Sequence, residues 1–241
     1  AATDPESFMA KSLPRPPQNR AMSAEAKLER RAQILHAAEQ LLKRHGHSAI
    51  SVAEVARQAG IAKGTVYLYF KTKEEIYLGL HERWVNLKLD TMTALLQDNT
   101  QVDGTVIGTV MADVMLSESY GLVTASTCHN LMETHIELDS AVAFKLKLAQ
   151  RLGEIGKLIE QRFPHLVPGS GARILVRAYA MTIGLWQLMD ASSQWRKLEA
   201  TSGLEVFNVD FATELHAALV AYWCGALHEQ NNNENHVAWA G

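Results

Sequence analysis

The sequence predicts an all-α fold: an N-terminal three-helix head that contains a helix-turn-helix, followed by a larger helical body. Three observations lead there. No proline occurs between Gln18 and Phe163. Over that span, apolar residues recur at the three- and four-residue spacing of helix faces. No segment shows the apolar–polar alternation of a half-buried strand.

The elements follow in order. Ala1–Phe8, ahead of Met9, read as left over from expression, and the tail continues to residue 22. Four of the six prolines lie in that tail, which reads as disordered. The first helix is expected over Ala24–His45, where Ile34, Leu35, Ala38, Leu41 and Leu42 form a stripe and Gly46 supplies a left-handed stop. A second runs over Val52–Ala59, and a short third over Lys63–Tyr69. A long fourth begins after Thr72 and continues to Leu96, with a loop over Asn99–Gly104. Further helices are expected over Thr105–Ser119, Thr124–His135 and Ser140–Phe163, and Pro164–Gly171 is a break. Ala172–Ala191 and Val209–Leu227 close the fold, and the Asn-rich end from Gln230 is a polar tail. The resulting division is tail 1–22, head 23–75, body 76–229 and tail 230–241.

Composition narrows the class. Hydrophobic residues make up 47% of the 241, enough for a substantial core. The two cysteines, Cys128 and Cys224, form no metal-ligand spacing or disulfide framework. The sequence has neither a long uncharged apolar run nor a secretory leader pattern, so the cytoplasm is the expected location and no membrane partner is expected. Charge is uneven: Lys11 to Glu75 carries twelve Lys and Arg against six Asp and Glu, whereas the whole chain has a net charge of −3. A basic head suits a polyanion, because neutralised phosphates release counterions.

The segment Ser51–Phe70 carries the sharpest pattern. Ser51 and Glu54 have capping-box spacing, with Ile50 and Val55 placed as a hydrophobic staple. Ala56 is small enough for close helix packing, and Gly60 permits a sharp turn four residues on. Val52, Val55, Ile61 and Val66 supply the apolar contacts between the two helices. Such a pair places its second helix, N-terminus first, in a major groove. That terminus presents Lys63, Gly64 and Thr65; Tyr67 and Tyr69 add hydroxyls for phosphates and ring edges for thymine methyls. Val66 and Phe70 read as core, and Tyr69 as shared between core and contact. Thr72 and Glu75 repeat the capping-box spacing, with Lys73 at the start of the next helix.

The run Ala62–Glu75, together with Ile34-Leu35, Ala37-Ala38, Leu41-Leu42 and Gly46 before it, resembles the signature of the tetracycline-repressor (TetR) family of transcriptional regulators over about residues 30 to 85. The resemblance implies contacts to double-stranded operator DNA from Ser51, Lys63, Gly64, Thr65, Tyr67, Leu68, Tyr69 and Lys73. The family often has a polar or aromatic residue at position 68, whereas Leu68 makes only apolar base contacts. It also implies a homodimer formed through the last two helices, where Ile174–Met189 is apolar on nearly every side and Phe211, Leu215, Ala218, Leu219, Tyr222 and Trp223 form a similar face. The alternative is that both helices are core of one protomer.

By the same resemblance the middle helices enclose a small, mostly apolar effector. Candidate lining residues are Trp84, Met111, Met115, Cys128, Met132, His135, Trp186 and Met189, although methionines and aromatics at helical spacing more often form core. His129, Glu133, His135 and Glu137 match no zinc pattern, so no metal is expected. No phosphate loop, nucleophile elbow or catalytic cluster is present, which gives no case for an enzyme or a cofactor. The leading expectation is a sequence-specific repressor released from a palindromic operator by its ligand. An architectural DNA-binding protein, or a ligand-binding protein whose head no longer engages DNA, is the alternative.

Overall fold

The computed structural model describes residues 18–45, 50–98, 101–189, 203 and 209–228, and its regular elements are all helices. The head comprises α1 (Gln18–His45), α2 (Val52–Gln58) and α3 (Lys63–Tyr67). The body comprises α4 (Lys73–Gln97), α5 (Gly104–Leu116), α6 (Ser119–Thr134), α7 (Leu138–Arg162), α8 (Ser170–Met189) and α9 (Phe211–Ala226). The expected stop at Gly46, the tails 1–17 and 230–241, the loop start at 99–100 and the helix end at 190–191 lie outside the described residues.

Several boundaries differ from expectation for local reasons. α1 opens at Gln18, directly after the proline cluster, so 18–22 is helical rather than disordered. Its first turns (Gln18-Asn19-Arg20-Ala21-Met22) are rich in good helix formers, which favour extension once proline is passed. α3 stops at Tyr67, with Leu68 as its C-cap, and Tyr69 lies in a turn that aims Phe70 into the core. α5 stops at Leu116 and α6 begins at Ser119, ahead of the expected Thr124. The break is therefore the single turn Ser117–Glu118, which apolar periodicity alone did not resolve.

A large contiguous core joins head and body, and a small second cluster gathers Leu78, Ile136, Ala141 and Phe144. Ile34, Ala38 and Leu42 of α1 meet Val55 of α2, Val66 of α3, Phe70, and Ile76 and Leu80 of α4, all 2% exposed or less. On α4, therefore, the first turns close the head while the later turns enter the body. Gly79 lets α4 approach α1 closely: a Cβ there would stand 2.9 Å from Leu35 Cδ2. In the body, α5 and α9 cross at backbone distance through Gly104 and Gly108, where added Cβ atoms would lie 2.7 Å from Cys224 N and 2.6 Å from Val220 Cα. This crossing covers Leu215, Leu219 and Trp223 of α9 within the protomer, each 0% exposed. Those three residues are thus core of one chain, while Val176 and Leu188 of α8 remain exposed.

Polar links tie head to body. Lys43 of α1 lies 2.8 Å from both Glu39 and Glu118, the latter in the α5–α6 turn. Arg83 of α4 lies 3.4 Å from Glu39, and Lys71 lies 2.7 Å from Glu137 just ahead of α7.

Candidate functional site

The helix-turn-helix is built as its residue types require. Ser51 Oγ accepts from the Glu54 amide at 3.3 Å, and Glu54 accepts from the Ser51 amide at 2.8 Å, completing a capping box. Ile50 and Val55 are 2% and 1% exposed, as a hydrophobic staple demands. The Ile50 amide also donates to Tyr77 Oη at 3.1 Å, fixing the entry to α2 onto α4. Gly60 has φ +67°, a left-handed value that makes the turn between α2 and α3 and that a side chain would strain. At the start of α4, Thr72 accepts from the Glu75 amide at 3.2 Å. Glu75 reaches back to the Lys71 amide at 2.7 Å, one residue ahead of the usual capping-box partner.

This frame presents one face of α3 outward. Lys63 and Gly64 are exposed, and a Cβ on Gly64 would meet nothing within 4 Å, so another backbone can approach there. Tyr67 is 45% and Leu68 76% exposed, large values for side chains of their size. Lys63 Nζ sits 6.0 Å from the centre of the Tyr67 ring, within reach of a cation–π contact. Ser51 is exposed, and Thr65, Tyr69 and Lys73 are half-buried. Lys73 also lies 3.9 Å from Glu74. Val66 and Phe70 point inward and are buried.

The second feature is a cavity of about 590 Å³ lined by α4 to α8, with exposed residues such as Lys145 and Gln187 at its mouth. Its size falls within the range typical of sites for small organic molecules. Four of the anticipated residues line it: Trp84, Met111, Met115 and Cys128. Trp186 and Met189 do not; Trp186 packs edge-on against Phe211 of α9 at 5.1 Å between ring centres. His135 is exposed beyond the end of α6 and also lies outside the cavity. Nothing is described of the side chains of His129, Met132 and Glu133. Among the described residues no group of three or more His, Cys, Asp and Glu is placed to hold a metal ion.

The polar groups of this cavity are not among the residues expected from helical spacing. His81 is 3% exposed, stacks on Trp84 at 6.0 Å, and has Nε2 3.4 Å from Tyr179 Oη. Burial pulls its pKa down to about 4, keeping the imidazole neutral, and Nδ1 has no hydrogen-bond partner. Lys88 is also 3% exposed; its ammonium donates to Ser117 Oγ at 2.8 Å and lies 5.4 Å over the Trp84 ring. Desolvation lowers its pKa, and the field of Glu118 opposes that shift. Burial raises the Cys128 thiol to about 12, which leaves it a packing group rather than a nucleophile. A signal for Lys88 existed: it stands one turn after Trp84, within the apolar stripe Trp84, Val85, Leu89 and Met92.

An outward recognition-type helix on a basic head defines a DNA-binding helix-turn-helix protein. The comparisons place it more narrowly. Residues 34–80 match the family model "Bacterial regulatory proteins, tetR family", and residues 83–230 match "Tetracyclin repressor-like, C-terminal domain". The chain belongs to the TetR family of transcriptional regulators. It is 29% identical over 126 residues to the "Fatty acid metabolism regulator protein" of Bacillus subtilis, a match covering 52% of this chain and 59% of that one. It is 33% identical over 72 residues to the "HTH-type transcriptional activator FasR" of Mycolicibacterium smegmatis, covering 30% of this chain and 33% of that one. The chain thus spans less than two thirds of the length of the curated relatives it matches. A crystal structure of a TetR-family regulator from Streptomyces coelicolor superposes with a TM-score of 0.50 at 18% identity, over 82% of this chain and 80% of the other. At that identity the likeness concerns the fold.

Proposed function

We propose that the chain is a homodimeric repressor that occupies a palindromic operator and leaves it when a small, mostly apolar molecule enters the body cavity. The observation that carries this reading is the position of α4. Its Ile76 and Leu80 close the core beneath α3, and its Trp84 and Lys88 line the cavity, so both sites share one rigid element. A ligand that favours one arrangement of α4 shifts the head with it, by as much as its affinities for the two arrangements differ. Ser51, Lys63, Gly64, Thr65, Tyr67, Leu68, Tyr69 and Lys73 contact the DNA, with Lys63 and Tyr67 central.

The dimer uses α8 and α9. Val176 and Leu188 leave α8 with large apolar groups in water, which a partner subunit would cover. Two heads then read half-sites roughly one helical turn, about 34 Å, apart. The protein acts where the DNA is, in the cytoplasm, through binding rather than catalysis. The Bacillus relative is named for fatty acid metabolism, which fits a receptor for an apolar molecule. FasR is named an activator, and the direction of control depends on where the operator lies.

The test is selection of bound duplexes from a random pool near physiological salt. An enriched inverted repeat is the expected outcome. Binding without an enriched motif would replace this reading with an architectural role, and absence of binding would leave a receptor whose head no longer engages DNA.

A further inference from the structure

The cavity's polarity says what kind of molecule it takes. Its wall is largely apolar, formed by residues such as Leu89, Met92, Met111 and Phe144. Among the described residues, the lining contains no aspartate or glutamate and two cations, Lys88 within and Lys145 on the exposed side of α7. Lys88 is the unusual member. With the residue 3% exposed, its ammonium has lost much of its hydration, and among the described residues it makes no ion pair; its hydrogen bond goes to a serine hydroxyl. The acid whose field reaches it, Glu118, is already engaged by Lys43 at 2.8 Å. Removing an ammonium from water without a counter-ion is costly, and an apolar side chain would fill the same space at no such cost.

A buried cation in an apolar chamber whose described lining holds no acid matches an amphipathic anion. We infer that the effector is an aliphatic or aromatic carboxylic acid, its carboxylate paired with Lys88 near Ser117 and its apolar body held between α4, α5, α7 and α8. This rests on the reading of the cavity as an effector site. One buried ammonium balances one negative charge, so the geometry favours a monoanion over a polyphosphate. Lipophilic cations are disfavoured, because the described lining offers them two like charges and no acid. The neutral His81–Tyr179 pair gives the wall hydrogen-bonding capacity without adding charge.

The test is calorimetric titration of the full-length protein with three probes of equal chain length: decanoate, decan-1-ol and decyltrimethylammonium. Decanoate should bind at least about tenfold more tightly than the alcohol, as a charge-assisted contact to a buried lysine provides. The cation should be weakest. In Lys88→Met the preference for decanoate over decanol should shrink to within about twofold, while decanol binding is retained or improved. Lys88→Arg, which keeps the charge, should retain most of the preference, and it guards against a folding defect in the methionine variant. Equal binding of decanoate and decanol, tighter binding of the cation, or an unchanged preference in Lys88→Met would each overturn the inference and leave the receptor reading intact. Failure of all three probes to bind the native protein would overturn both.

Discussion

Head and body solve different problems with different kinds of residue. In the head, function depends on identities at fixed offsets. Gly60 must take a positive φ, Ser51 must cap α2, Val66 must face inward, and Lys63 and Tyr67 must then face outward. The duplex is a fixed template, so only narrow combinations of residues meet it. In the body, the proposed receptor function depends on a volume, about 590 Å³ bounded by five helices. Many sequences enclose such a volume, and the polar groups that qualify it come from separate helices. Change in the head should therefore be local and severe, whereas change in the body should act through packing, charge and coupling.

The largest expected effect breaks the head alone. The double variant Lys63→Ala/Tyr67→Ala should lose about 4 kcal/mol of operator binding, roughly a thousandfold, as the sum of two contacts worth about 1–3 kcal/mol each. Both side chains are exposed, so the thermal midpoint should stay within about 2 °C of the native value. Fluorescence anisotropy with labelled operator and circular dichroism would measure the two quantities. Equal operator affinity in variant and native protein would remove α3 from the DNA-reading role.

The same contrast explains what the sequence revealed. The helix-turn-helix was legible to within two residues, although α1 opens six residues ahead of its expected start: the capping box at Ser51, the turn at Gly60 and the inward Val66 each follow from local chemistry. Helix existence in the body was legible too, because long stripes such as that of α7 report burial directly. The cavity was not. Trp84 and Cys128 line it while Trp186 and Met189 do not, although the same criterion of large soft side chains at helical spacing selected all four. Periodicity tells which side of a helix is buried but not whether the buried side meets another helix or a space. Leu215, Leu219 and Trp223 show the same limit: a face that looked available to a partner subunit is covered by α5.

The next two predictions act on the body. His81 is neutral in the folded state with a pKa near 4, against 6.5 for an unhindered histidine. Between those values the unfolded chain binds the proton and the folded chain does not, so stability is fully present above pH 6.5 and is lost as pH falls towards 4. The loss attributable to this residue should approach about 3 kcal/mol. Urea unfolding at pH 7 and pH 4 should show His81→Phe losing less stability than the native protein by about that amount. A pH dependence identical in both would mean that the ring is hydrated in the folded protein. Somewhat smaller is the effect of Gly121→Ala, whose Cβ would fall on the Trp84 indole. Relieving the clash requires α6 and α4 to separate or Trp84 to turn into the cavity, at about 2 kcal/mol of stability. Binding of any cavity ligand should weaken with it, and wild-type stability in this variant would refute the close α4–α6 contact.

The smallest effect on stability is the most informative about how the two regions communicate. The α5–α6 turn holds both regions: Ser117 accepts at 2.8 Å from Lys88, which lines the cavity, and Glu118 lies 2.8 Å from Lys43 of α1 on the head side. A ligand that draws Lys88 away from Ser117 acts on the same turn that holds the head. Lys43→Met removes the head-side link while keeping the length of the side chain. Because Lys43 is 35% exposed, loss of its ion pairs should cost less than about 1 kcal/mol of stability. Operator affinity without ligand should change little, and so should ligand affinity without DNA. The ratio of operator affinities with and without ligand should fall several-fold, because only the connection has been weakened. Measuring the two affinities and their ratio in native and variant protein separates coupling from binding, since reciprocity requires any lost coupling to appear equally in both directions. An unchanged ratio would assign communication to α4 alone, through the continuous core from Ile76 to Trp84.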